Sequence, residues 1–236
     1  MNQKAILAGI LIVVLAFSAY SYSKPLNAYA ENTGINSNFC TMNSSSNTDM
    51  SNCKTFGLDM HDKNLSGVDM SGSVFLNADL FNVNISNANL LNVNLSGAVI
   101  TNSNLSGADL RGANLRYVDF YHTNLTGADL RGADITGARF PGVNFMSANL
   151  QGVNFSHASA QMANFQHANL KDADLSYTEF LSADFTSADL ENANLRNSDL
   201  ALGSLSEANL LGANVGGLDT TSVDLSCYGN PVCQGN

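Results

Sequence analysis

A large apolar residue occupies every fifth position of this chain from Leu65 to Leu225, without one slip in the register. Only Ala160 and Thr220 depart from the pattern. A period of five matches neither the two-residue repeat of a strand nor the 3.6-residue repeat of a helix. Self-similarity over most of a chain indicates a repeat architecture, in which each unit buries its side chains against its neighbours.

Each five-residue unit is built around this large apolar residue, which we call the centre. Two residues before it stands a small residue such as Ala108, and one residue before it stands Asn or Asp, such as Asp109. Gly often stands two residues after the centre, as at Gly112. A small and a large residue two apart share one face of an extended segment, while Gly, Asn and Asp suit tight turns. Each unit is therefore predicted to be a very short strand followed by a corner.

Residues 108–115, ADLRGANL, and residues 128–134, ADLRGAD, resemble the pentapeptide repeat family, whose motif is A-(D/N)-L-x-x. The resemblance covers residues 60–225. It implies an all-β fold, a right-handed quadrilateral β-helix with four pentapeptides in each coil. Residues 20 apart would then stack, which gives about eight coils and a rod about 38 Å long.

One stack of centres places Ala160 between Phe140 and Phe180. Two interpretations are open: the neighbouring rings fill the space, or the small residue leaves an internal cavity that binds a ligand. Unfilled apolar space costs stability, which favours the first interpretation.

The first 30 residues contain the three parts of a secretory signal peptide. A short basic start precedes an apolar run at residues 5–20, and an A-x-A cleavage site at Ala28 and Ala30 precedes Glu31. The apolar run is slightly short for a membrane-spanning helix, so an uncleaved anchor is the alternative. That anchor is the one route by which we expect the chain to contact a membrane. We predict an exported protein, located in the periplasm, secreted, or in a thylakoid lumen.

Four cysteines lie outside the repeat, with Cys40 and Cys53 before it and Cys227 and Cys233 after it. An even number of cysteines in an exported chain suggests disulfides, and four cysteines allow three pairings. On the rod that the resemblance implies, the two pairs lie at opposite ends, farther apart than the roughly 7 Å between Cα atoms that a disulfide allows. We therefore predict the disulfides Cys40–Cys53 and Cys227–Cys233.

These observations divide the chain into four predicted segments. They are a signal peptide at residues 1–30, an Asn/Ser-rich N-terminal cap at 31–59, the repeat β-helix at 60–225, and a C-terminal cap with a disulfide loop at 226–236. The terminal coils of a solenoid expose strand edges and an open core, so both caps are expected to cover an end.

The sequence shows no motif for catalysis or for binding a metal or cofactor. His122, His157 and His167 are predicted to fall on different sides of the coil, so they cannot converge on one ion. The net charge is −10, which disfavours binding to nucleic acid backbones or anionic membranes. We therefore predict that the chain is not an enzyme, needs no cofactor and binds no nucleic acid.

Positive charges form a row on the predicted rod. Arg111, Arg131 and Lys171 lie beside Asp109 and Asp129. Neighbouring opposite charges favour salt bridges over a binding site for an anion. Paired carboxylates also act in glycosidases, but here the repeat itself produces the pairing.

One stack of units differs from the others in its outward residues, which elsewhere are mainly Asn, Ser, Thr, Asp and Arg. A row of apolar side chains along a rod is a candidate interaction surface, although isolated surface hydrophobes are common. This predicted face comprises Phe81, Val99, Tyr121, Pro141, Met162, Leu181 and Leu202.

We interpret the chain as an exported, non-enzymatic structural or protein-interaction β-solenoid that binds another protein or a second copy. One alternative follows from the resemblance, because some pentapeptide repeat proteins mimic DNA with an acidic rod and inhibit or protect type II topoisomerases. Export would place this chain in the wrong compartment for that role. A further alternative is a glycan-acting β-helix enzyme.

Overall fold

The computed structural model describes residues 49–234. The predicted signal peptide, its cleavage site at Ala28, Ala30 and Glu31, and Cys40 lie outside the described residues. Export and the Cys40–Cys53 disulfide therefore stay predictions.

Parallel pairing between residues 20 apart builds the described chain. Strand β1 (Lys54–Phe56) pairs with strand β2 (Val74–Leu76), with Lys54 opposite Val74. The other coils are joined by single-residue parallel bridges such as Asn84 with Asn104. The short strands predicted for each unit are mostly single bridges, because only three residues separate one turn from the next.

Each corner is a tight turn that contains one left-handed residue. In one unit, the Ala108 N–H donates to the carbonyl oxygen of the centre Leu105 at 3.1 Å, and Gly107 between them has a φ of +66°. A left-handed residue recurs at every fifth position from Asn52 to Ser222. Positive φ at the third residue of a four-residue turn defines a type II turn, which favours Gly or Asn. The Gly of the sequence pattern therefore serves the corner.

The Asn or Asp before each centre points outward and secures the same turn. Its Oδ1 accepts the backbone N–H two residues later, as Asp109 does from Arg111 at 3.2 Å. Asparagine amides also link successive coils, since Asn104 donates to Asn84 and Asn124 donates to Asn104, both at 3.2 Å. Much of the acidity of the chain is therefore part of the turns.

The interior contains the centres and the small residues two positions before them. Leu110, Leu150 and Leu190 are fully buried, and so are nearly all other centres of the middle coils. Where Ser or Thr takes the small position, its hydroxyl is satisfied, as when Thr123 donates to the Ile100 carbonyl oxygen at 2.6 Å. The core is thus a continuous apolar column in which buried hydroxyls are paired, except for the Thr55 Oγ1 near the start of the described chain.

Phenylalanine rings stack through the middle of this core. Phe165 lies between Phe145 and Phe185, with ring centroids 4.9 and 4.6 Å away and nearly parallel planes. Phe155 packs edge-on against Phe165 at 6.0 Å. Ala160 lies between these two residues in the chain and is fully buried. The contacts support the interpretation that neighbouring rings fill the space beside Ala160.

The bridge-and-turn pattern also runs through residues 49–59, the described part of the predicted N-terminal cap. Asp49 bridges Asp69 there, and Asn52 has the left-handed φ of the repeat. Within the described part of the chain, no helix is long and apolar enough to cross a membrane.

The C-terminal end departs from the regular coil. Tyr228 bridges Asn209, a separation of 19 residues instead of 20, and a 3₁₀ helix spans Pro231–Gln234. The structure contains the predicted Cys227–Cys233 disulfide, with Cα atoms 5.0 Å apart. This bond closes the terminal loop.

Candidate functional site

Large exposed apolar side chains concentrate on one of the four sides of the β-helix. This side lies between the corner that carries Tyr117 and the corner that carries Tyr121, with Asp119 on the surface between them. Of the eleven large hydrophobic residues that are exposed in the described chain, nine lie on this side or its two corners. We call these nine residues the apolar side: Phe56, Phe81, Val99, Tyr117, Tyr121, Met162, Tyr177, Leu181 and Leu202.

Six of the seven residues predicted for the interaction face belong to the apolar side. Their exposed fractions range from 40% at Leu181 to 61% at Met162 and Leu202. The seventh, Pro141, is half-buried in the coil that follows Tyr121. Five of the six lie along one edge of the apolar side and Val99 lies on its surface; their role in binding stays a prediction.

The opposite edge of the apolar side was missed by the sequence analysis. Phe56, Tyr117 and Tyr177 line it. These three residues belong to the preceding stack of units, and the prediction placed each turn residue only on the side of its own centre. A corner residue borders two sides, so counting in steps of 20 along each corner would have found these three.

The aromatic side chains of this second edge are ordered by their neighbours. The rings of His157 and Tyr177 stack, with centroids 4.9 Å apart and planes 8° apart. The Tyr117 ring lies over Gly137, where an added Cβ would come within 2.6 Å of the ring. The Arg116 guanidinium lies 5.5 Å from the Tyr117 centroid, which is a cation–π distance. These contacts fix the orientation of the exposed Tyr117 and Tyr177 rings.

Several residues of the apolar side occupy left-handed backbone positions. The φ angle is +59° at Tyr117, +56° at Met162 and +61° at Leu202. This conformation costs an ordinary L-residue about 1–2 kcal/mol, and it is unusual for bulky residues. The same conformation recurs at every corner of the coil, so the left-handed backbone belongs to the repeat. What distinguishes these positions is that bulky apolar side chains occupy them.

Replacing Leu202 by Gly is expected to stabilise the protein. Removing the left-handed strain outweighs the added flexibility of Gly, for a net gain of about 0.5–1 kcal/mol in the free energy of unfolding. The matched control is Leu211→Gly, because Leu211 is similarly exposed at 56% but does not have a positive φ. That change is expected to cost about 0.5–1 kcal/mol. Urea unfolding of both variants measures the difference, and effects of the same sign would contradict the assignment of strain.

The surface between the two edges carries both charge signs in one column. Parallel bridges stack Asp119, Arg139, Ser159, Glu179 and Asp199 in successive coils. Arg139 and Glu179 are exposed, and the Arg139 guanidinium lies 3.7 Å from the Asp119 carboxylate. The middle of the apolar side therefore contains opposite charges on a chain whose net charge is −10.

The predicted row of positive charges forms salt bridges on a different corner. Arg111 contacts Asp109 at 2.6 Å, and Arg131 contacts Asp129 at 2.6 Å. The hydrogen bond from Arg111 lowers the pKa of the Asp109 carboxyl. Lys171 contacts two carboxylates at 2.8 and 3.2 Å. These cations are neutralised within the molecule, which agrees with the salt-bridge interpretation.

One cluster of possible metal ligands occurs among the described residues. Asp59, His61 and Asp79 each bring a ligand atom within 4.8 Å of the others, and all three residues are exposed. The hydrogen bond from His61 to Asp59 raises the pKa of the imidazole. Exposed acidic groups often lie this close without a metal, so the cluster does not define a metal site. The other three histidines lie exposed on three different corners, as the sequence analysis predicted.

Comparison with protein families identifies the repeat. The model of the family described as pentapeptide repeats matches the chain in eight copies. No curated protein sequence matches the chain significantly. The matched ranges are residues 59–97, 94–132, 123–159, 163–201 and 183–219.

Three similar solved structures are pentapeptide repeat or antibiotic-resistance proteins. HetL, involved in heterocyst differentiation regulation in the cyanobacterium Nostoc sp. strain PCC 7120, is 27% identical, with 74% of this chain and 87% of that chain covered and a TM-score of 0.54. Full-length QnrB1, a plasmid-mediated fluoroquinolone resistance protein, is 23% identical and has a TM-score of 0.49. The match covers 73% of this chain and 83% of QnrB1. A pentapeptide repeat protein from the Arabidopsis thaliana thylakoid lumen is 30% identical and has a TM-score of 0.26. The match covers 48% of this chain and 69% of that protein.

The family match and the coordinates describe the same repeat. The matched ranges span more than half of the chain, and the structure pairs residues 20 apart through four turns in each coil. The right-handed quadrilateral β-helix that the resemblance implied is thereby confirmed. This chain therefore belongs to the pentapeptide repeat family.

Proposed function

We propose that this protein is an exported, non-enzymatic interaction module that binds a protein partner on its apolar side. The observation that carries the proposal is that nine of the eleven exposed large hydrophobic residues of the described chain lie on one side or its two corners, so that the other two corners and three sides carry two. Concentrated apolar surface on a soluble protein marks an interaction site. Members of the pentapeptide repeat family are generally structural or interaction proteins, which supports a role without catalysis.

Binding on the apolar side also accounts for the choice of bulky apolar residues at two left-handed corner positions. Met162 and Leu202 hold apolar side chains in left-handed positions that Gly or Asn fill at lower cost. Because both side chains are 61% exposed, burial within the monomer does not repay this cost. A partner that buries them does.

Export is supported by the N-terminal sequence and by the cysteines. Residues 1–30 have the parts of a signal peptide. The Cys227–Cys233 disulfide suits an oxidising compartment, such as the periplasm, the extracellular medium or a thylakoid lumen.

The role as a binding module is compatible with a similar protein. HetL, whose match covers 74% of this chain, is involved in regulating heterocyst differentiation.

Mass spectrometry of protein from fractionated host cells tests export. We expect a mature chain that begins at Glu31, lies outside the cytoplasm and is lighter by the hydrogens lost in two disulfides. A cytosolic, fully reduced chain that begins at Met1 would overturn export. It would make the acidic DNA mimic the next hypothesis, to be tested on supercoiling by a type II topoisomerase.

Paired substitutions test the interaction itself. Tyr121→Ser with Leu181→Ser is expected to remove the complex that the wild-type protein forms in its own compartment, because both side chains lose their apolar contact. Leu211→Ser is the matched control, since Leu211 is equally large, 56% exposed and off the apolar side. Light scattering and cross-linking measure the complex. Loss of the complex in the control, or its survival in the paired variant, would contradict the proposal.

A further inference from the structure

We propose that the apolar side binds a second copy of this chain, with the two β-helices antiparallel and with Ser159 and Met162 at the two-fold axis. This inference rests on the proposed function, because it names the partner of the apolar side. It follows from the order of residues along three columns of that side.

We call the column of Asp119, Arg139, Ser159, Glu179 and Asp199 the charged column. An antiparallel pair centred on Ser159 brings opposite charges of this column together. In an antiparallel two-fold pair, a residue one coil before the axis faces the residue one coil after the axis on the other copy. Arg139 lies one coil before Ser159, and Glu179 lies one coil after it. Both side chains are exposed. Antiparallel pairing therefore places Arg139 opposite Glu179 twice, once on each side of the axis.

The same column disfavours a parallel pair. With both chains running in one direction, each residue faces its own copy, so Arg139 meets Arg139 and Glu179 meets Glu179. Like charges across an interface are repulsive and suppress that arrangement. Arg139 also matters because it is the one cation in this column beside three acids, Asp119, Glu179 and Asp199. The net charge of the full chain, −10, opposes self-association over a purely acidic surface.

The edge at Tyr121 pairs large residues with small ones under the same symmetry. Tyr121 lies two coils before the axis and faces Ala201 two coils after it, while Pro141 faces Leu181. Met162 lies beside the axis and faces itself. Alternation of large and small side chains lets two surfaces interdigitate. An exposed methionine adapts its shape to the partner.

The edge at Tyr117 brings aromatic rings together. Tyr177 lies one coil after the axis and faces the coil of Gly137, over which the Tyr117 ring lies. Two rings that meet edge-on or offset gain about 0.5–1.5 kcal/mol beyond the area that they bury. The left-handed Tyr117 and Tyr177 therefore both gain a contact in the dimer.

One pairing is unfavourable and limits the affinity. Asp119 faces Asp199 at the outer end of the contact, although Asp119 already has Arg139 as a neighbour at 3.7 Å. The contact from Tyr121 to Leu202 spans about four coil steps, or about 20 Å. A short interface of this kind forms transient complexes. We therefore expect a reversible dimer.

Charge exchange tests the pairing in the full chain as it is isolated from the host. Arg139→Glu and Glu179→Arg alone are each expected to raise the dimer dissociation constant by at least about tenfold. The double variant restores opposite charges across the axis and is expected to return within about threefold of wild type. Sedimentation velocity over a range of concentrations measures the constant. The control exchanges Lys171 and Glu191, a salt bridge of 2.8 Å on another corner, and should leave the dimer unchanged.

A cysteine cross-link tests the antiparallel geometry. Met162→Cys places the new thiol beside the axis, so it should form a disulfide-linked dimer under mild oxidation. Leu202→Cys is the control, since Leu202 lies two coils from the axis and faces His122, not itself, in the antiparallel pair. Equal cross-linking of the two variants would place Leu202 against its own copy as well, which the antiparallel pair about Ser159 does not allow, and would overturn the proposal.

The results separate this inference from the proposed function. A protein that stays monomeric at all concentrations, or a double charge exchange that does not restore the dimer, would overturn the second copy as the partner. If Tyr121→Ser with Leu181→Ser then still removes a complex with a different protein, the apolar side remains an interaction surface. If that variant removes nothing, the proposed function fails as well.

Discussion

Deletion of Ser96 alone is expected to abolish the cooperative fold, whereas deletion of the whole segment 86–105 is expected to preserve it. Losing one residue shifts every later residue by one place. Arg111 and Arg116 would then take positions of centres, which are fully buried in this β-helix. An unpaired buried charge costs several kcal/mol, and a whole domain is stable by only about 5–15 kcal/mol. The coils after the deletion therefore cannot form.

Removing 20 residues keeps every column in register. Ile85 would be followed by Ser106, and Leu110 would stack on Met70, so large apolar residues stay inside. No salt bridge found in the described chain involves the removed segment. Repeat proteins lose one unit and one interface when a repeat is removed, so we expect a lower melting temperature but a complete transition.

Circular dichroism and gel filtration distinguish the two deletions. The shortened protein should keep the spectrum of the wild type and elute as a slightly smaller species. The Ser96 deletion should lose cooperative melting and elute as an expanded or aggregated chain. Similar behaviour of the two variants would mean that the period of five does not determine the packing.

The core of this fold could be predicted from the sequence because burial follows a local rule. A centre such as Leu110 or Leu150 is buried in its own unit whatever the neighbouring side chains are. The type II corner likewise follows from Gly two residues after the centre. Near the start of the described chain the rule is weaker, because Thr55 takes the place of a large apolar centre between Met50 and Met60. That break explains why the bridge at Asp49 was not predicted.

The candidate site could be predicted only in part because it depends on corners. Tyr121 and Leu181 were found from their own stack of units, but Tyr117 and Tyr177 belong to the stack before it. These two corners border the same side, which becomes apparent only when the four corners of one coil are placed in order around the β-helix. Contacts such as the Tyr117 ring over Gly137 join positions 20 residues apart and have no local signal in the sequence.

The largest effect of a single substitution is expected at the centre of the aromatic stack. Phe165 has another ring on each face, with centroids 4.9 and 4.6 Å away, and is fully buried. Phe165→Ala removes both stacked contacts and leaves a cavity between coils that parallel bridges hold in place on each side. Such a truncation costs about 3–5 kcal/mol of the free energy of unfolding when the surroundings cannot collapse.

Leu211→Ala is the matched control for Phe165→Ala, because Leu211 is 56% exposed and lies off the apolar side. It is expected to change the free energy of unfolding by less than about 0.5 kcal/mol. Urea unfolding at one protein concentration compares the two variants. A loss below about 1 kcal/mol for Phe165→Ala would mean that Phe145 and Phe185 move into the space, which the fixed spacing of about 4.8 Å between coils opposes. The size of the loss therefore measures how rigidly the β-helix holds its core.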